Sequence, residues 1–173
     1  MKDITPEMRW QLAARSASRL PVVCTAVLRM RLGDAYDDHL AEEIWCHVGS
    51  EASDIAKGLE LPVSPADRLA GSLLEIVRIL FGSEFRGEIL DLAPDRAVLL
   101  ITRCPILIRA MEMGECSPWF FHPCLAFCVS ATEALHADYS VRFIRAMCLG
   151  DKNCELRLAK KTELEGTGKK ERG

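Results

Sequence analysis

With 173 residues, the chain is long enough to bury a substantial core in one domain. Its 49% hydrophobic and 27% charged residues, at a net charge of −3, leave no electrostatic footprint for nucleic acid or for a strongly membrane-seeking protein. Aromatic residues, at 6%, are too sparse for the stacking platforms of a single-strand nucleic-acid binder.

The opening MKDITPEMRWQ is charged and lacks the apolar core of a secretory signal. The run Leu20–Met30 is broken by Pro21, Thr25 and Arg29 and is too short to span a bilayer. A cytoplasmic protein is expected, and cytoplasmic thiols stay reduced. The eight cysteines therefore read as a metal site plus buried free thiols rather than as four disulfides.

Taken in order, Thr5-Pro6-Glu7 is a helix start, a cap followed by a first-turn proline. A helix is predicted over 6–19, with Met8, Leu12 and Trp10 packing inward, and a second over 20–32, ended by Gly33-Asp34. Asp37 or Asp38 caps a third helix to about residue 59, whose stripe is Leu40, Ile44, Val48, Ala52 and Ile55. Cys46 and His47 on that helix read as packing or flank residues rather than ligands. Ser64-Pro65-Ala66-Asp67 resembles a capping box for a helix over 65–82 that buries Leu69, Leu73, Ile76, Val77 and Leu80.

The period then changes. Strands are predicted over 87–93 and 97–103 around the Pro94-Asp95 turn, the second (AVLLIT) apolar on both faces and hence central. A short helix over 105–113, a loop over 114–118 and a long helix over 122–136 follow. Tyr139–Cys148 and Cys154–Leu158 form a second hairpin, with Cys154, Leu156 and Leu158 on one face and Glu155 and Arg157 toward water. The tail from Lys160 is polar, charged and expected to be disordered. The fold class is α+β: N-terminal helices (1–82) packed on an antiparallel sheet of two hairpins with a long helix between them (87–159), a single domain over 1–159.

Four of the eight cysteines fall between Cys124 and Cys154, and Cys104 precedes them at a strand end. Cys124 and Cys128 lie one helical turn apart, and Cys148 and Cys154 bracket a turn at Gly150-Asp151. Sulfur atoms at the ends of elements are placed to converge, as a soft metal requires, although spacing alone leaves structural thiols open. Cys116, in a loop, reads as a further ligand or a free thiol.

The order Cys104-Pro105, then Pro123-Cys124 on a helix, then C-L-G-D-K-N-C-E-L resembles the L-2-amino-thiazoline-4-carboxylic acid hydrolase-like family. The last hairpin is also similar to that of 4-vinyl reductase domains. The resemblance runs over about residues 89–158, and the cysteine hairpin is its most specific part. It implies a small α+β ligand-binding module in which cysteines from a helix and the final hairpin hold a zinc ion beside a pocket for a small aromatic effector. Carried onto this chain, the ligands are Cys124, Cys148 and Cys154, with Cys104 as the fourth and Cys128 as the alternative to Cys124. The hydrolase-like family instead implies opening of a thiazoline-type ring by water.

Four sulfur ligands would make a closed, structural zinc site. Three would leave a position for water or substrate, with Glu115, His122, Glu133, His136 or Asp151 as candidate acids or bases. Asp151, beside Gly150, suits the hairpin turn better than catalysis. An iron–sulfur cluster is the alternative cofactor. A metal-free reading makes Cys104 or Cys148 a nucleophile, for which no activating partner is visible. The expectation is a cysteine-ligated metal-binding module with a pocket between the N-terminal helices and the sheet. Its partner would be a small apolar or aromatic molecule, with a homodimer or a separate output protein as the macromolecular one.

Overall fold

The computed structural model describes residues 3–93, 95–115 and 118–167. Its helices pack on an antiparallel sheet of two hairpins, as expected.

Helix α1 (Pro6–Leu32) begins where predicted, the Thr5 hydroxyl accepting the Met8 N–H at 3.2 Å. It then runs through Pro21 as one helix, which corrects the predicted break near residue 20. An interior proline removes one backbone bond, but Ala14, Ser18, Val22 and Thr25, each a turn apart, carry the helix across it by burying against α4 (Ala66–Phe81) and α5 (Pro105–Glu112). Met8 and Leu12, expected inside, lie off this stripe and are exposed, whereas Trp10, one turn before Ala14, is 38% exposed and its Nε1 donates to the Ile79 carbonyl of α4 at 3.5 Å.

The predicted third helix is divided at Glu51 into α2 (Asp38–Ser50) and α3 (Ala52–Gly58). Asp37 is the cap, its Oδ1 accepting the Leu40 N–H at 2.9 Å. The buried positions are Ala41, Trp45, Gly49, Ala52 and Ala56, so the predicted stripe is rotated by about one residue and Ile44 faces outward. Helix α4 starts after a cis Ser64–Pro65 bond. Pro65 takes the cap position, and the capping box expected from Ser64 does not form. Leu69, Leu73, Ile76 and Val77 are buried as predicted, with Leu80 only partly so.

Strands β1 (Arg86–Ala93), β2 (Arg96–Arg103), β3 (Tyr139–Arg145) and β4 (Cys154–Lys160) pair antiparallel in the order β1-β2-β4-β3. The doubly apolar β2 is interior, and Ile101, Leu99 and Ala97 lie opposite Cys154, Leu156 and Leu158 of β4. Helices α4 and α6 (Phe121–Leu135) cover one face of this sheet. Two boundaries differ from expectation. Strand β3 stops at Arg145, and Cys148 belongs to a 3-10 turn, Met147–Leu149, closed by Gly150 at φ 102°. The expected disordered tail is strand at Lys160 and helix α7 over Lys161–Thr167, where Lys161 pairs with Glu133 at 3.0 Å. Its remainder, 168–173, lies outside the described residues.

Helix α6 is held between the sheet and α2. A side chain at Gly49 of α2 would stand 2.7 Å from the Phe127 carbonyl oxygen and 3.0 Å from the Ala131 nitrogen, both backbone atoms that cannot swing away. Gly49→Ala is expected to cost about 1–3 kcal/mol by forcing the helices apart, read as a lower urea midpoint at unchanged slope.

Candidate functional site

Where α4, α5 and α6 meet the end of the sheet they enclose a cavity of about 90 Å³. It lies deeper in the C-terminal half than expected: Trp45, Val77, Phe81 and Phe85 wall one side, and α5, α6 and the second hairpin supply the rest. Trp45, Phe81 and Phe127 form a ring cluster with centroids 5.6–6.3 Å apart. Phe120 and Phe143 complete the aromatic lining.

Cys104, Cys124, Cys128, Cys148 and Cys154 all line this one cavity. Each arrives on a different local device. Cys104 sits between β2 and α5, where Pro105 starts the helix and stops the strand. Cys124 and Cys128 face the same way from consecutive turns of α6, and their side chains are hydrogen-bonded to each other. Cys148 is carried by the 3-10 turn, and Cys154 opens β4 with its Sγ accepting the Met147 N–H at 3.3 Å. The Asp151 carboxylate accepts the Ala146 N–H at 2.8 Å and so shapes the turn, the role its place beside Gly150 suggested.

Four of these thiols, those of Cys104, Cys124, Cys148 and Cys154, are pushed toward their neutral form. Burial, ahead of repulsion from Cys124, pushes the Cys104 thiol up to about 12, against the opposing pull of the Leu107 and Ile106 N–H groups at the start of α5. Burial likewise pushes Cys154 up to about 12 and Cys148 to about 11, both with a contribution from Cys124. Its bond to Cys128, then burial, raises Cys124 well above the ordinary thiol value. Cys124 is thus the sulfur with which each of the others interacts. Among the described residues, no three His, Cys, Asp or Glu side chains stand, as oriented, in a group that could hold a metal ion.

The candidate acids and bases lie off the cavity wall. His122 Nδ1 is 3.1 Å from Glu42, Glu133 binds Ser140 and Lys161, and His136 accepts the Asp138 N–H at 3.3 Å. Cys46 and His47 are exposed on α2, as a helix flank should be. Cys116 lies outside the described residues. Sequence reasoning missed the aromatic wall, because its phenylalanines come from separate elements. It also missed Arg109, a fully buried guanidinium bound to Glu84 and Glu112 that fixes α5 to the turn before β1. An arginine in the apolar run PILIRAM was the available signal.

No protein-family model and no curated protein sequence matches this chain. Solved structures do share its fold. A trafficking protein particle complex subunit 3 from Naegleria fowleri, covalently bound to palmitic acid, superposes with a TM-score of 0.60 at 12% identity, over 84% of this chain and 95% of that one. The phenol-responsive sensory domain of the transcription activator PoxR, with phenol, superposes with a TM-score of 0.59 at 14% identity, over 87% of this chain and 75% of that one. At such identities the likeness establishes the architecture.

The raised thiols set two expected outcomes for metal-free protein. Iodoacetamide at pH 8, followed by peptide mass spectrometry, should label exposed Cys24 and Cys46 at least roughly tenfold faster than the cavity cysteines. Above the ordinary thiol value of 9.0 the unfolded chain releases protons that Cys104 and Cys154 still hold when folded, so stability is lost as pH rises from there toward about 12. Urea midpoints should fall over that window, and less steeply in Cys104→Ala.

Proposed function

We propose that the protein is a ligand-binding module, similar in kind to 4-vinyl reductase domains, whose cavity receives a small apolar or single-ring aromatic molecule beside a cysteine-ligated soft metal ion. The observation that carries this reading is the cavity wall, which among the described residues combines five cysteines with six aromatic side chains and presents no carboxylate or ammonium group. Such a wall selects against charged ligands, since a buried charge would find no partner. Ring edges and faces meet well in it at offset or perpendicular angles. At about 90 Å³ the space is small beside the roughly 300–1,000 Å³ of drug-sized sites, which favours a single ring over a long chain. The shared fold of a phenol-responsive sensory domain supports the same class of ligand.

The donor set fits a soft cation because every candidate ligand is sulfur. Zinc would be held by Cys104, Cys124, Cys148 and Cys154, with Cys128 as the alternative on α6, and an iron–sulfur cluster by the same residues. A bound cation supplies the charge that turns thiols into thiolates, and would join α6 to the β3–β4 hairpin. The ring-opening hydrolase implied by the other resemblance finds no general base on the wall, and thiols pushed up to about 11–12 are poor nucleophiles. The second reading, a covalent acyl chain as in the trafficking subunit, meets the same obstacle of unactivated thiols.

Protein purified under reducing conditions is expected to carry about one zinc per chain by elemental analysis, lost in Cys148→Ser together with a fall in Tm. Phenol and cresols should raise Tm in proportion to their binding, and Phe127→Ala should weaken that response. A reduced, fully folded protein that takes up no metal on titration would overturn the metal part. A Tm unmoved by any small aromatic at millimolar concentration would overturn the pocket part.

A further inference from the structure

Helix α1 covers the protein with one side and leaves the other bare. The inner side carries Ala14, Ser18, Val22 and Thr25. On the outer side Leu20, Val23, Val27 and Met30 recur at alternating steps of three and four residues, with Val23 half-buried, continuing a line begun by Arg9, Ala13 and Ser16. That is the 3.5-residue rhythm of a coiled-coil seam. Leu20 is 61% exposed, Val27 45% and Met30 72%, with Leu12 at 56% alongside them. Residues of this size are not left in water on one stripe by chance of composition, since single scattered ones are the norm.

The charge along this seam has one sign. Arg31 flanks one margin and Arg9 stands at its N-terminal end, while Arg19 lies on the margin nearer α5, close enough to act also on Glu112. The sole carboxylate of α1, Glu7, falls two turns before Ala14 on the inner side, where it accepts a bond from Gln11. The remaining arginines of the helix lean toward the body: Arg15, still mostly exposed, lies 3.9 Å from Glu112, and Arg29 stacks 3.8 Å from the Trp119 ring.

We infer that the outer face of α1 docks an acidic amphipathic helix of a partner protein, one with aliphatic residues along its seam and glutamates on its margins. Charge complementarity selects this occupant: glutamates beside the seam meet Arg19 and Arg31, the arrangement that sets partner choice between packed helices. A second copy fits less well, because antiparallel pairing that sets Leu20 opposite Met30 and Val23 opposite Val27 also sets Arg19 against Arg31. A bilayer surface is also disfavoured, because helices lying in it present a broader apolar face than a two-position seam interrupted by Arg9 and Ser16. This inference does not depend on what the cavity holds.

The test uses the full chain and two synthetic, fluorescein-labelled helical peptides with leucine at both seam positions, one with glutamate and one with lysine on the margins. Fluorescence anisotropy should show the glutamate peptide binding at least roughly tenfold tighter than the lysine peptide, and more weakly as salt is raised. The double variant Leu20→Asp, Val27→Asp should lose binding with Tm unchanged, because both side chains are exposed. The double variant Arg19→Glu, Arg31→Glu should invert the preference. No binding, equal binding of both peptides, or binding indifferent to Leu20→Asp, Val27→Asp overturns the inference. So does a dimer by light scattering that the same variant dissociates, or co-sedimentation with phosphatidylserine-containing vesicles that it abolishes.

Discussion

Two helices that touch through bare backbone set the position of the site. Gly49 lets α2 approach α6 until the Phe127 carbonyl occupies the space any side chain would need. The contact is pinned by Ser130 Oγ donating to the Cys46 carbonyl at 2.7 Å and, farther toward the start of both helices, by His122 against Glu42 at 3.1 Å. With α6 pressed down on the sheet in this way, Phe127 and Cys128 turn into the core, and Trp45 closes over them. The cavity is the space left where the helices diverge from the strand ends.

The wall of that cavity balances two opposed effects on sulfur. The start of α5 offers N–H groups to Cys104, and the Met147 N–H is bonded to Cys154. Both would stabilise thiolates, yet burial among aromatic rings outweighs them and keeps the thiols protonated. Donor groups already aimed at sulfur suit a cluster whose charge state a soft cation would reverse, because a metal ion inverts the local preference for protonation. Arg109 belongs to the same arrangement. Its buried guanidinium, bound to Glu84 and Glu112, anchors the helix whose first turn presents Cys104 to the cavity.

The far side of α1 answers to a different constraint. Its covered stripe is built of small residues, and the Ala14 methyl would clash at 2.9 Å with any Cβ at Gly82. Close seating of α1 on the end of α4 therefore requires small groups inward and leaves the larger aliphatic residues facing out. That is why Met8 and Leu12, read from the sequence as core, stand in water, and why one helix can serve both the body of the protein and a partner.

Much of the plan was legible in local chemistry. Alternation and turn residues located both hairpins, AVLLIT marked β2 as interior, and Gly150-Asp151 announced the turn beside Cys148. Helix α1 was misdivided because Pro21 outweighs its neighbours in any local count, whereas packing on α4 and α5 outweighs one lost bond in the folded chain. By itself the sequence determined the kind and order of the elements and the concentration of sulfur at their ends. Only the tertiary structure decided which sulfurs share a cavity, which aromatic rings wall it, and which stripe of α1 is covered. Each of those depends on contacts between residues distant in the chain, and local periodicity carries no record of them.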